Sequence, residues 1–245
     1  MGRMLRVGSL FSGIGGLELG LEMTGHFTTV WQVEIDKYAR KVLARHWPHV
    51  RRHDDVCTFP TDDNWECDVI CGGFPCQDIS YAGKGAGLDG ERSGLFYELA
   101  RVVRLVGPRY VILENVAALL TRGMGDVLGT MASLGYDCQY HCIPAAYVGA
   151  PHIRDRVFIL SYTNNVQRKG SIQEQISQQR NLQGKLGRMG ERLGRQWAVE
   201  PNVGRVANGV PRRMDRLRCL GNAVVPQVAQ VVGQILWEVH RGQDE

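Results

Sequence analysis

From Leu5 to Ser161, short apolar runs alternate with stretches in which apolar residues recur at helical spacing. The runs at 5–10, 28–33, 67–71, 109–113, 138–143 and 156–161 have the length and residue types of strands. Asp36 is placed to cap a helix that carries Ala39, Val42, Leu43 and His46 on one face, with Pro48 just beyond its end. A second helix is predicted over 94–106, where Leu95, Leu99, Val102, Val103 and Val106 recur on one side. This alternation predicts an α/β fold with a mostly parallel sheet. Too few residues separate the last two strands for a crossover helix, so they are predicted to pair as an antiparallel terminal hairpin.

After Tyr162 the pattern changes. Residues 163–204 are rich in Gln, Asn, Gly and Arg, and Gly184, Gly187, Gly190 and Gly194 interrupt the spacing of Leu182, Leu186, Met189 and Leu193. An irregular or flexible segment is expected there. Order returns at Asn222, which can serve as an N-cap, with Pro226 suited to a first helical turn. Val228, Val232, Ile235 and Val239 then form an apolar stripe that should dock on the sheet.

At 245 residues and 27.3 kDa, the chain has room for one large α/β domain or two small ones. Its 44% hydrophobic and 22% charged residues exclude global disorder. The apolar runs fall short of the roughly 18 residues of a membrane span, and the first residues do not resemble a signal peptide. No membrane partner is expected. Cysteines at 57, 67, 71, 76, 138, 142 and 219 are odd in number and lack zinc-site spacing, so a reducing cytoplasm and no metal are expected. The formal charge of +4 hides an asymmetry: residues 163–218 hold 12 Lys and Arg against 4 Asp and Glu, while the remainder holds 17 against 21. A basic block of this kind suits the phosphates of a polyanion, and equally a solvated loop.

In open α/β sheets, ligands bind outside the carboxyl ends of the strands. Four features of this sequence fall at such ends. Phe11-Ser12-Gly13-Ile14-Gly15-Gly16 follows the first strand, and Glu34 follows the second, where a ribose-binding carboxylate often stands. Gly72-Gly73-Phe74-Pro75-Cys76-Gln77 follows the third, and Glu114-Asn115 the fourth. Taken singly, these are a glycine turn, a small core cysteine and a helix-capping glutamate. Their joint placement points to one cleft. Glu18 stands where the dinucleotide fingerprint has its third glycine, which disfavours a nicotinamide enzyme.

With these motifs in this order, the sequence resembles the DNA (cytosine-5) methyltransferases. In that resemblance Phe11, Ser12, Gly13, Gly15 and Gly16 form the first S-adenosyl-L-methionine motif. Glu34 is the ribose-binding acid, and Asp55 and Val56 are the pair that meets the adenine. Pro75-Cys76-Gln77 is the catalytic loop, followed by Ser80, and Glu114-Asn115-Val116 is the catalytic glutamate motif. Arg154 and Arg156 are the paired arginines near the catalytic centre, and Gly221-Asn222-Ala223-Val224 is the last motif, which completes the cofactor pocket. The resemblance covers residues 5–161 and roughly 201–240. His152 departs from the Gln that many members carry before the arginines. The span where the family places target recognition is short, about forty residues of plain composition.

The resemblance implies a Rossmann-like methyltransferase fold with a catalytic domain over 1–162, a short basic target-recognition segment over 163–204, and a C-terminal part, 205–245, that returns to the catalytic domain. It implies S-adenosyl-L-methionine as cofactor and double-stranded DNA as partner. A cognate restriction endonuclease, a monomeric state and a bacterial or phage-infected cytoplasm are further expectations. A thiolate combines high nucleophilicity with an accessible pKa, so Cys76 is expected to attack carbon 6 of cytosine. Glu114, if burial raises its pKa, would hold ring nitrogen 3, and Arg154 and Arg156 would supply fixed positive charge. The target base must leave the helix stack, and Gly83, Gly85, Gly87 and Gly90 would make the loop around Cys76 mobile. An RNA or tRNA methyltransferase on the same scaffold and a noncatalytic DNA-binding relative are the alternatives. Cys67, Cys71, Cys138 and Cys142 are read as core residues, Trp197 as a core anchor, and His26, His46, His49 and His53 as surface or helix-end residues.

Overall fold

Strand-length apolar runs bounded by turns assemble into one seven-stranded sheet in the computed structural model, which describes residues 3–60, 62, 65–75, 94–163 and 212–244. The strands are β1 (Leu5–Leu10), β2 (Phe27–Val33), β3 (Arg51–His53), β4 (Val69–Gly73), β5 (Tyr110–Val116), β6 (Tyr136–Pro144) and β7 (Asp155–Thr163). Their order is β3-β2-β1-β4-β5-β7-β6. The first five pair in parallel, and β7 lies antiparallel between β5 and β6. All six predicted strands are present; β1 matches at both ends, and the other strands differ at one or both ends by one to three residues. β3 was not predicted, because Arg51-Arg52-His53 carries no apolar signal; it is a short charged edge, which discourages pairing with other chains.

The alternation of side chains along each strand sorts the core into two layers. Val7, Val69, Cys71, Tyr110 and Ile112 face α1 (Gly16–Glu22) and the C-terminal helix Pro226–Asp244. Leu10, Ile70, Val111 and Leu113 face the other way, against α3 (Gly94–Val106) and α5 (Met124–Ser133), with the short α4 (Leu119–Arg122) between β5 and α5. α2 (Lys37–His46) begins as its sequence predicts, with Asp36 Oδ1 accepting from the Tyr38 and Ala39 amides at 2.8 and 2.9 Å. Ala39 and Leu43 are buried, whereas His46 is exposed and off the buried face. α4 and α5 have no predicted counterpart; Gly123, Gly125 and Gly129 dilute their apolar spacing.

Asn222 is not an N-cap. It is the last residue of α6 (Arg213–Asn222), and α7 (Pro226–Asp244) starts after the extended link Ala223–Val225. α6 went unrecognised because none of its side chains is buried, which leaves no apolar stripe to read. α7 docks as expected, burying Val228, Val232 and Ile235 in the β1 layer. The approach of α1 and α7 depends on glycine: a Cβ on Gly16 would fall on the Val224 carbonyl, and one on Gly20 would fall on the Pro226 carbonyl and the Ala229 methyl.

Several cysteines and histidines differ from expectation. Cys71 is buried, but Cys67 precedes β4 and is half-buried, and Cys142 is exposed on the edge strand β6. His26 stacks on Trp237 with ring centroids 4.2 Å apart, and His53 lies edge-on to Phe59 and Trp65. The partner of His26 is distant in the chain, whereas those of His53 are six and twelve residues away and carry no local pattern that marks the contact. The expectations for residues 163–204, for Trp197 and for the glycines at 83, 85, 87 and 90 concern segments outside the described residues, apart from Thr163, which ends β7.

Gly20→Ala is expected to lower stability by about 2 kcal/mol or more, because backbone atoms of α7 leave the methyl nowhere to go. Gly129→Ala, in an open and exposed helical position, is expected to raise it by about 0.5–1 kcal/mol. Urea denaturation of the two variants measures the contrast.

Candidate active site

Strand order reverses between β1 and β4, so the loops leaving their carboxyl ends diverge and open a crevice. The loop after β1 holds two consecutive tight features: Phe11 at φ 54 and Gly13 at φ +57, with nothing within 4 Å of the position a Gly13 Cβ would take. Backbone of this shape needs glycine at its open point and leaves room for a ligand against the main chain. Glu34, at the end of β2, fixes the loop: its Oε2 accepts from the Gly13 amide and its Oε1 from the Asp36 amide, both at 2.7 Å. A carboxylate has about four acceptor sites, so two remain for hydroxyl groups of a ligand. Ser12 Oγ donates to Ser9 Oγ at 2.9 Å and closes the underside of the loop.

Beside Glu34, Asp55 caps the single turn Val56–Thr58, accepting from the Cys57 amide at 2.9 Å. Val56 turns its side chain into the core. Ile35, 69% exposed, and Asp36 border a cleft of about 510 Å³ between α2 and α6, which is also lined by Tyr38, Lys41, Arg212 and Arg218. Arg218 pairs with Asp36 at 2.5 Å. At the start of α1, the Val224 backbone lies on Gly16.

A second group of site residues lies at the ends of β4 and β5. Gly73 is opposite Glu114 in the parallel register, and a Cβ on Gly73 would come within 2.8 Å of Glu114 Oε2, so the carboxylate lies over this strand end. Asn115 Nδ2 donates to the Phe74 carbonyl at 3.2 Å and anchors the chain that runs into Pro75. Pro75 is half-buried; Cys76 follows it and lies outside the described residues. Arg156 is opposite Val116 across the β5–β7 pair, which makes it the diagonal same-face neighbour of Glu114. Its Nε donates to Glu114 Oε1 at 2.9 Å. Burial pushes the Glu114 carboxyl up to about 7, although Arg156 and then Arg154 pull in the opposite direction.

Arg154 directs its hydrogen bonds elsewhere: Nη2 donates to the carbonyls of Gly221 and Ala223, each at 2.6 Å. The roles of two other residues, Asn115 and Glu18, escaped the sequence reading. The anchoring role of Asn115 depends on a cross-strand contact that no spacing reveals. Glu18, noticed only as a missing glycine, is fully buried beneath the Phe11–Gly16 loop. Among the described residues its Oε2 has no hydrogen-bond partner, and its Oε1 is 3.5 Å from Gln32 Nε2. Burial raises its carboxyl to about 7, against the opposing pull of its own backbone amide and the Ser9 and Ser12 hydroxyls.

A parallel sheet with a crevice at the β1/β4 reversal, closed by an antiparallel β7, defines a Rossmann-like fold of the methyltransferase type. Comparison with known proteins narrows the class. Residues 5–203 match the family described as C-5 cytosine-specific DNA methylase. The Type II methyltransferase M2.BsuMI of Bacillus subtilis is 38% identical over 165 residues, covering 64% of this chain and 42% of that protein. M.NgoBI of Neisseria gonorrhoeae, also a Type II methyltransferase, is 34% identical over 203 residues, covering 81% and 61%. In structure, the Entamoeba histolytica methyltransferase EhMeth superimposes with a TM-score of 0.70 at 13% identity over 97% of this chain and 99% of that one, a likeness of fold. The chain belongs to the C-5 cytosine-specific DNA methylase family. It spans about half the length of the curated relatives it matches.

Because the folded-state pKa of Glu18 is raised, its contribution to stability is fully present below the unfolded value near 4.5 and is lost as pH rises through about 7. Between pH 5 and pH 8 the wild-type protein is expected to lose about 2–3 kcal/mol relative to Glu18→Gln, which does not ionise. Denaturant midpoints of both proteins across that range measure the difference.

Proposed function

We propose that this chain is a DNA (cytosine-5)-methyltransferase that uses S-adenosyl-L-methionine and acts on a cytosine extruded from double-stranded DNA. The observation that carries the reading is the placement of Glu114: buried, paired with Arg156, and lying over Gly73 where the chain turns into Pro75-Cys76. The open main chain at Gly13, the remaining acceptor sites of Glu34 and the exposed apolar face of Ile35 fit an adenosyl group. Phe11, Ser12, Gly13, Gly15, Gly16, Glu34, Asp55, Val56, Pro75, Asn222, Ala223 and Val224 are the residues assigned to hold it. When bound, S-adenosyl-L-methionine supplies an electrophilic methyl group on a cationic sulfur.

On this reading, the Cys76 thiolate forms a bond to carbon 6 of the pyrimidine and pushes the C5–C6 π pair onto carbon 5. The charge would otherwise accumulate on the ring. Glu114, near neutrality and so able to share a proton, places it on ring nitrogen 3, and Arg156 holds the carboxyl group in position. Carbon 5, now nucleophilic, would take the methyl group as the methyl–sulfur bond breaks and its electron pair stays on the donor sulfur. A base then removes the carbon 5 proton, and the released pair restores the C5–C6 double bond. Sulfur leaves carbon 6 as the thiolate, and the nitrogen 3 proton returns to Glu114. Basic residues of 163–218 supply contacts to phosphate.

The proposed organisation is a catalytic unit over 1–162 with 205–245 returning to it, and target recognition over 163–204. A monomer serving a restriction-modification system, alongside a cognate endonuclease in a bacterial or phage-infected cytoplasm, agrees with relatives named Type II methyltransferases.

Methyl-transfer assays should show activity on duplex DNA and none on tRNA; the reverse preference refutes the DNA reading. Cys76→Ser is expected to remove activity, and Glu114→Gln to reduce it by about 10²- to 10⁴-fold. Duplex DNA carrying 5-fluorocytosine should trap the wild-type protein covalently, since fluorine cannot leave as a proton does. Full activity in the Cys76 variant would end the proposed mechanism.

A further inference from the structure

We infer that Arg154 is a positioning residue: it fastens the Gly221–Val224 link, and with it one wall of the cofactor cleft, rather than acting on the base or the phosphates. The inference rests on the proposed reading that the donor binds in this cleft.

α6 has no buried side chain, so apolar packing does not fix its place. Its last carbonyls lack helical partners, as at any helix end, and a cation there is doubly suited, as donor and as complement to the helix dipole. Arg154 fills that role from another part of the chain. The two hydrogens of Nη2 go to Gly221 O, in the last turn of α6, and to Ala223 O, in the extended link. One nitrogen thus straddles the helix end and the strand-like chain that follows. Arg154 itself is held at φ 40, a left-handed conformation costly for any residue with a side chain. Such geometry persists only where surrounding contacts enforce it.

The consequence for the cleft follows from what comes next in the chain. Val224 is buried in the β1 layer, and its backbone lies on Gly16 at the start of α1. The link is therefore pinned by Val224 on one side and by Arg154 on the other, with Asn222 between the two bonded carbonyls. Arg218, through Asp36, ties the same helix to the beginning of α2, next to Glu34. Arg154 and Arg156 are two residues apart but point to different partners, Arg156 to Glu114 and Arg154 to the link. One short segment at the start of β7 thus serves the target-base side through one arginine and the donor side through the other. Desolvation and the neighbouring Arg156 lower the Arg154 pKa, while Glu114 raises it.

The test is Arg154→Met, which keeps the aliphatic stem and removes the donors, with three measurements on the folded protein. Amide exchange at 222–225 without ligand should quicken. The Kd for S-adenosyl-L-methionine, titrated calorimetrically without DNA, should rise about tenfold. DNA affinity and its salt dependence should stay within twofold of wild type, whereas loss of a phosphate contact would reduce the salt slope by about one. If the methionine variant does not fold, Arg154→Lys carries the test, with a smaller rise in donor Kd because the planar fork is lost. Unchanged exchange and unchanged donor Kd overturn the inference, as does a DNA defect equal to the donor defect. A wild-type protein that binds no donor would instead overturn the functional reading, and the ligand-free exchange measurement would still decide the role of Arg154.

Discussion

Chain leaving β1 winds toward β2 and β3, while chain leaving β4 winds toward β5, so no crossover covers the gap between their carboxyl ends. Each motif with chemistry in it lies on the rim of that gap. The loop at Phe11–Gly16 leaves β1, the chain into Pro75 leaves β4, Glu34 follows β2 and Glu114 lies near the end of β5. None of these would meet in a sheet wound in one direction only. The site is a property of the strand order first and of its side chains second.

The antiparallel β7 adds what parallel strands could not. Running against β5, it brings its own beginning, with Arg154 and Arg156, to the carboxyl end of the sheet. Arg156 can then lie diagonally opposite Glu114 and hold a carboxyl group that burial alone would leave strongly disfavoured as an anion. Burial and ion pairing oppose each other there, and a carboxyl group balanced near neutrality suits transfer of a proton in either direction. Glu18 meets the same burial without an arginine, which makes it a cost to stability rather than a proton carrier in the open cleft.

Much of this was legible in the sequence, and what was legible shares a physical cause. Periodicity identified α2, α3 and α7, which bury one face, and apolar runs identified six strands, the central ones buried on both faces. α6 and β3 were missed for the opposite reason: one buries nothing and the other is three polar residues at an edge. The motifs gave the participants of the cleft, yet not their partners. The bonds of Arg154 to Gly221 and Ala223, of Asn115 to Phe74, and of His26 to the ring of Trp237 join residues distant in sequence. No local pattern encodes such pairings, and the motif that marks Arg154 does not reveal its bonds to the 221–223 carbonyls.

The contact between Gly16 and Val224 has a bearing on how the chain reaches its native state. These residues are roughly two hundred positions apart, and the layer around Leu5, Val7, Leu17 and Leu21 is completed only by α7. On a ribosome the first strand and first helix emerge early but must wait, with one apolar side uncovered, until the final helix is synthesised. Nucleation is therefore favoured in the opposite layer, where β4, α3 and β5 are closer in sequence, with closure of the β1 side as a late event.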